Sequence, residues 1–220
     1  LFAFISCVGT KINKNKVIVT NVPVKVQNVD SIAITNIPVL FDVQSQGEKW
    51  VDSVYNTMTL DEKIGQLFMV AAYSNKDAKH YAGIDKLIQE NKIGGLIFFQ
   101  GGPVRQAKLT NRYQALSKIP LFIGNDAEWG LGMRLDSTYR YPWNMTLGAI
   151  QDMKLIEKLG VQMGRESKRL GLQFNFAPVL DINSNPKNPI IGFRSFGEDK
   201  FKVSEHAIAL MKGIQSQNVF

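Results

Sequence analysis

Apolar positions from Glu48 onward follow two alternating rhythms, short unbroken runs and longer stretches recurring every three or four residues. The first rhythm suits a strand buried on both faces, and the second a helix lying against it. Trp50, Val54 and Met58 open the series at helical spacing. Thr59-Leu-Asp-Glu62 then fits a capping box, predicting a short helix into Gly65 and a first strand within Gly65–Ala72. Residues 77–91 read as a helix with Ile84, Leu87 and Ile88 on one side, and Ile93–Phe99 as the second strand. Pro103 suits a helical first turn, where its missing N–H costs nothing, and that helix runs to about Ser117. The third strand is Leu121–Gly124, inside the run Ile119-Pro-Leu-Phe-Ile123. Asp152 caps a long helix with Leu155, Ile156, Leu159, Met163 and Leu170 facing inward, and Gly171 closes it. Leu172–Leu180 is the fourth strand, a loop rich in Asn and Pro spans about 181–200, and a last helix covers about 202–216. A fifth strand falls due at Phe220.

Strands each followed by a helix predict an α/β protein with a parallel sheet and right-handed crossovers. An open doubly wound sheet would carry a phosphate fingerprint after its first strand. Here Gly130-Leu-Gly132 follows the third strand, and Leu135 stands where the further glycine or alanine is needed. The expected architecture is therefore the first half of a TIM-type (β/α)8 barrel, since a whole barrel takes about 250 residues. Residues 1–46 read as a leader and 47–220 as the barrel portion.

Composition changes this picture only at its edges. With 45% hydrophobic and 20% charged residues, the chain has the makeup of a globular domain. The formal charge of +7 is dispersed, with no basic run, which argues against nucleic acid. Cys7 is the only cysteine, so no internal disulfide framework exists. No Cys/His cluster has zinc spacing, so no zinc site is expected, and His80 and His206 are assigned surface roles. Leu1-Phe-Ala-Phe-Ile-Ser-Cys7-Val resembles the tail of a signal peptide, and Phe4-Ile-Ser-Cys7 resembles a bacterial lipobox. That resemblance implies export and a lipid anchor on Cys7, in the periplasm or at the outer membrane; a buried N-terminal strand is the alternative.

Candidate chemistry lies where the apolar strands end. Asp126, Glu128 and Arg134 follow the third strand, and Asp181, Asn183 and Arg194 follow the fourth. Barrel proteins build sites from loops at that face, and carboxylates with guanidinium groups there grip several hydroxyls at once. The motifs are Asn125-Asp-Ala-Glu-Trp-Gly-Leu-Gly-Met-Arg134, Leu147-Gly-Ala149, Asn175-Phe-Ala-Pro-Val-Leu-Asp-Ile-Asn183 and Arg194-Ser-Phe-Gly197. In that order they resemble the N-terminal barrel domain of glycoside hydrolase family 3. Thr59–Gln66 fits as well, and Asn188–Asp199 is similar to the loop of the bacterial β-N-acetylhexosaminidase branch.

The resemblance implies hydrolysis of terminal, non-reducing β-linked N-acetylglucosamine from glycans or peptidoglycan fragments, by a retaining mechanism without a metal or cofactor. It implies that Asp126, Arg134 and Arg194 hold the sugar. Glu128 is read as bracing Arg134, and Asp181 as holding its loop through backbone amides, with an Asp181–Arg194 ion pair as an alternative. Trp129, Trp143 and Phe193 are candidates for stacking on a sugar face or for rim packing. The family's Lys-His pair, Asp-His dyad and aspartate nucleophile have no match here, so no catalytic residue is assigned. A β-glucosidase or β-xylosidase of the same family, or a non-catalytic sugar-binding module, would use the same residues.

Overall fold

The computed structural model describes residues 45–220. Cys7 and the leader up to residue 44 lie outside the described residues. The helices are α1 (Ser45–Tyr55), α2 (Leu60–Gly65), α3 (Ala78–Asn91), α4 (Pro103–Leu116), α5 (Asn144–Leu147), α6 (Met153–Arg169) and α7 (Lys200–Gln215). The strands are β1 (Met69–Ala72), β2 (Gly95–Phe98), β3 (Phe122–Asn125) and β4 (Phe174–Asn175).

Helix starts follow local chemistry. The Thr59 hydroxyl accepts from the Glu62 N–H at 3.2 Å, and the Glu62 carboxylate accepts from the Thr59 N–H at 2.9 Å. Each such cap contributes about 0.5–2 kcal/mol. Asp77, Asp152 and Asp199 cap α3, α6 and α7 in the same way, each accepting from a first-turn amide.

All strand pairs are parallel, and the spatial order β1-β2-β3-β4 equals the chain order. Every crossover therefore steps in one direction. A doubly wound sheet would reverse order at a switch point. Successive residues alternate between two environments. Leu96, Phe98 and Ile123 are fully buried in a core with Ile84 and Ile88 of α3 and Tyr113 of α4. Met69, Phe122 and Phe174 take the opposite face beside Gly95 and Gly124, where a Cβ would meet those side chains at 3.0–3.3 Å. Phe122 and Phe174 meet edge to face with centroids 5.2 Å apart.

The Phe220 N–H donates to the Gln173 carbonyl at 2.8 Å, and its carbonyl accepts from Asn175 at 2.6 Å. That is one rung of a further parallel ladder, at the place where a fifth strand is expected.

A second core joins α6 to α7 through Ile156, Met163, Val203, Leu210 and Ile214. The two helices cross at glycines: a Cβ on Gly160 would sit 2.3 Å from the Leu210 carbonyl, and one on Gly213 would sit 2.1 Å from that of Glu157.

Three expectations change. β4 is two residues long, because the Ala177 N–H bonds back to the Asn175 carbonyl and Pro178 has no N–H to offer a ladder. Leu155 is exposed, since the buried stripe of α6 runs Ile156, Gly160, Met163, Gly164 and Ser167. His206 is buried instead of superficial, with Nδ1 2.8 Å from the Lys202 carbonyl and Nε2 2.9 Å from that of Ile150.

Candidate functional site

β3 ends at Asn125, so the next residues emerge at the carboxyl end of the sheet. Asp126 turns back on its own loop: Arg134 Nη2 donates to its carboxylate at 2.8 Å, and Arg134 Nε to its carbonyl at 3.1 Å. The guanidinium also lies over the Phe99 ring, 4.7 Å from the centroid, and Phe99 stacks on Tyr73. Arg134 is thus held on two sides by an anion and a π face.

Glu128 reaches the other loop. Its two carboxylate oxygens accept from Arg194 Nε at 3.2 and 3.0 Å, and Nη2 donates to Oε1 at 2.7 Å. The Glu128 side chain is 5% exposed and that of Arg194 34%. This hydrogen bond is the main cause that raises the Arg194 pKa above its ordinary value; burial opposes it. The arginine stays charged, with part of its guanidinium open to solvent.

The glycines between these groups serve packing. Gly130 has φ +82°, and a Cβ there would sit 2.5 Å from the Tyr141 ring. A Cβ on Gly132 would meet the Tyr139 carbonyl at 2.7 Å. The 139–141 segment therefore lies directly on the loop, and the Tyr141 N–H donates to the Trp129 carbonyl at 3.0 Å. The Tyr141 hydroxyl donates to Glu166 of α6 at 2.6 Å, tying the loop to the second core. Burial and that carboxylate push the phenol pKa up.

The 181–197 loop is latched by Ser195, whose hydroxyl lies 2.6 Å from the Asp181 carbonyl and 2.9 Å from that of Gly197. Asn144 donates to the Arg194 carbonyl at 2.8 Å. A cavity of about 430 Å³ beside Arg194 is lined by Trp143, Asn183 and Phe193 among others. Trp129 and Trp143 pack on each other at 4.2 Å, with Arg140 over both, while Phe193 is 71% exposed.

The structure brings Asp126, Glu128, Arg134 and Arg194 together, with two assignments corrected. Glu128 braces Arg194, not Arg134, because its carboxylate extends across to the β4 loop while Asp126 takes Arg134. Asp181 holds its loop through its backbone carbonyl; its carboxylate is exposed, makes no hydrogen bond among the described residues, and reaches Arg194 only through its charge. The same geometry replaces the alternative Asp181–Arg194 pair. Phe99 and Asn175 fall within predicted strands, and the sequence assigned neither a role of its own, although Asn175 heads one of the motifs. Asn175 Oδ1 accepts from the Ala127 N–H at 3.0 Å, and Nδ2 donates to the Ala127 carbonyl at 3.4 Å. The available signal was a polar side chain inside an apolar run. Among the described residues no group of three His, Cys, Asp or Glu is placed to hold a metal.

A parallel α/β sheet wound in one direction, with charged pairs at the carboxyl ends of its strands, matches the first strands of a (β/α)8-type barrel, the class whose sites form at that face. Within that class the chain belongs to glycosyl hydrolase family 3: the model of its N-terminal domain matches residues 59–220. A beta-N-acetylglucosaminidase/beta-glucosidase of Cellulomonas fimi is 28% identical over 179 residues, 81% of this chain and 31% of that protein. Beta-hexosaminidase A of Pseudoalteromonas piscicida is 34% identical over 149 residues, 62% of this chain and 25% of the relative. The chain thus spans about a third or less of these relatives. A solved family 3 beta-N-acetylglucosaminidase from Paenibacillus sp. str. FPU-7 is 35% identical, with a TM-score of 0.66 over 74% of this chain and 32% of that one. A beta-glucoside phosphorylase matches in fold alone, with a TM-score of 0.75 at 24% identity over 82% of this chain and 32% of its own.

Proposed function

We propose that this chain is the sugar-holding portion of a β-N-acetylhexosaminidase, which releases terminal β-linked N-acetylglucosamine from glycans or peptidoglycan fragments. The observation that carries the proposal is the pair of carboxylate–guanidinium contacts, Asp126–Arg134 and Glu128–Arg194, facing one end of the sheet from two loops. Ionised groups of both signs, held in place before binding, hydrogen-bond neutral hydroxyls and an acetamido carbonyl at about 1.5–3 kcal/mol each. A retaining mechanism also needs a nucleophilic carboxylate and an acid/base about 5 Å apart. We assign those roles to residues outside this chain, in keeping with the share of its relatives that it spans.

The test is hydrolysis by the complete protein that carries this chain. Faster release of nitrophenol from an aryl β-N-acetylglucosaminide than from the matching glucoside is expected. The 220-residue chain by itself should release none. Preference for the glucoside would favour a second reading, β-glucosidase, which the two-part name of the Cellulomonas fimi relative supports.

For location, we propose export with a lipid on Cys7, supported by Phe4-Ile-Ser-Cys7 and its apolar lead-in. Mass spectrometry of the mature protein should find residues 1–6 removed and a lipidated Cys7; an intact, unmodified segment would overturn it.

A further inference from the structure

We infer that Asn175 is a positioning residue, fixing the carboxylates of Asp126 and Glu128 through the single residue between them; their role toward sugar rests on the proposed function. Asn175 is the last residue of β4 and pairs in register with Asn125, the last residue of β3. Its side chain therefore meets the first turn of the loop, just past the end of the neighbouring strand. It is 5% exposed, and Ala127 is 1% exposed. One carboxamide satisfies both polar groups of Ala127, accepting its N–H and donating to its carbonyl. The Asn175 backbone is tied on the other side, donating to Phe220.

Both backbone polar groups of Ala127 face the Asn175 carboxamide, while the side chains of Asp126 and Glu128 on either side reach their arginines. Both carboxylates hang from peptides that begin or end at Ala127. Rotation there would swing them, and with them Arg134 and Arg194. The Ala127 carbonyl also accepts the Gly130 N–H at 3.1 Å, so the same anchor sets the start of the glycine turn. Met133 Sδ meets the Glu128 N–H at 3.4 Å, but among the described residues only Asn175 bonds both the N–H and the carbonyl of one residue in this loop.

The test uses the complete protein with Asn175→Ala and Asn175→Asp. The aspartate variant keeps the volume and the acceptor for the Ala127 N–H, and sets a carboxylate oxygen against the Ala127 carbonyl. Both variants are expected to raise KM for the aryl N-acetylglucosaminide about tenfold or more, with a smaller change in kcat. Hydrogen–deuterium exchange in a peptide covering 126–131 should quicken in both. Below about pH 5, protonation returns a donor to the introduced aspartate. Its KM ratio to the unsubstituted protein should therefore shrink with falling pH, while that of Asn175→Ala should not. A lowered melting temperature with unchanged KM would overturn the inference, as would unchanged exchange. An unsubstituted protein that neither binds nor cleaves glycosides would overturn the proposed function instead, and the exchange data would still decide whether Asn175 holds the loop.

Discussion

At the scale of single residues, the two carboxylates of the site do different work although they stand two positions apart. Asp126 is the more open of the pair, with its side chain 28% exposed against 5% for Glu128. Asp126→Ala should therefore act first on ligand binding, lowering kcat/KM of the complete protein by about 10- to 100-fold; it also leaves Arg134 without its anion, so a fall in melting temperature smaller than that of a Glu128 substitution accompanies it. Glu128→Gln should act on the scaffold, because it leaves the Arg194 guanidinium without its anion. We expect a loss of about 1–3 kcal/mol in a denaturant titration, together with weaker sugar binding. Equal effects of the two substitutions on stability would contradict this division. A third residue reports on pH. Tyr113 is fully buried, its hydroxyl has no partner among the described residues, and its pKa is pushed up to about 12, first by burial and then by the charge of Asp85. The folded state holds this proton where an unfolded chain would release it. Stability is therefore unaffected below about pH 10 and falls as pH rises from there through about 12. Tyr113→Phe should melt no lower at neutral pH, since it removes an unpaired buried hydroxyl, and its alkaline decline should be shallower. A steeper decline in the variant would refute that assignment.

At the scale of elements, close approach between backbones decides where small residues stand. α6 and α7 touch through Gly160 and Gly213, with each added Cβ lying within 2.1–2.3 Å of the opposite helix. Gly160→Val should push the helices apart and cost more than the 1–3 kcal/mol of ordinary overpacking, read as a large fall in melting temperature. Gly83, on α3, has nothing within 4 Å of an added Cβ and provides the control: Gly83→Ala should stabilise its helix slightly. Loss of stability at both positions, to the same extent, would show that the helix crossing is not the cause. The link between this crossing and the site runs through Glu166 on α6, which holds Tyr141 against Gly130.

At the scale of the molecule, the sheet has a helix-covered face and an open one. On the open face, beside Met69 and Phe174, Phe122 and Phe176 are 52% and 49% exposed. Among the described residues β1 pairs on one side only. An apolar face beside an unpaired strand edge invites association. The 220-residue chain expressed alone should therefore sediment as aggregates or bind a hydrophobic dye without a cooperative transition. A monomer with a sharp melting transition would show that the exposed face is tolerated.

Much of the architecture was legible in the order of residues. The periods of apolar positions, Thr59 and Asp152 as caps, and Gly171 with its φ of +79° beyond α6 act within a few residues of chain, so sequence alone determined most of the elements. The one-directional winding followed from strands alternating with helices without the phosphate fingerprint of a doubly wound sheet, and Asp126, Glu128, Arg134 and Arg194 could be named as neighbours because strand ends converge. Tertiary structure decided what depends on reach across the fold. The length of a glutamate side chain and the path of the 181–197 loop determine that Glu128 takes Arg194 and leaves Arg134 to Asp126. Registry between β3 and β4 places Asn175 against Ala127, a contact 48 positions apart that no local pattern encodes. His206 is buried for the same reason, since Ile150, its partner across the helix packing, is 56 residues away. Local propensities depend on neighbours along the chain, whereas these pairings depend on distances that exist only after the elements have packed.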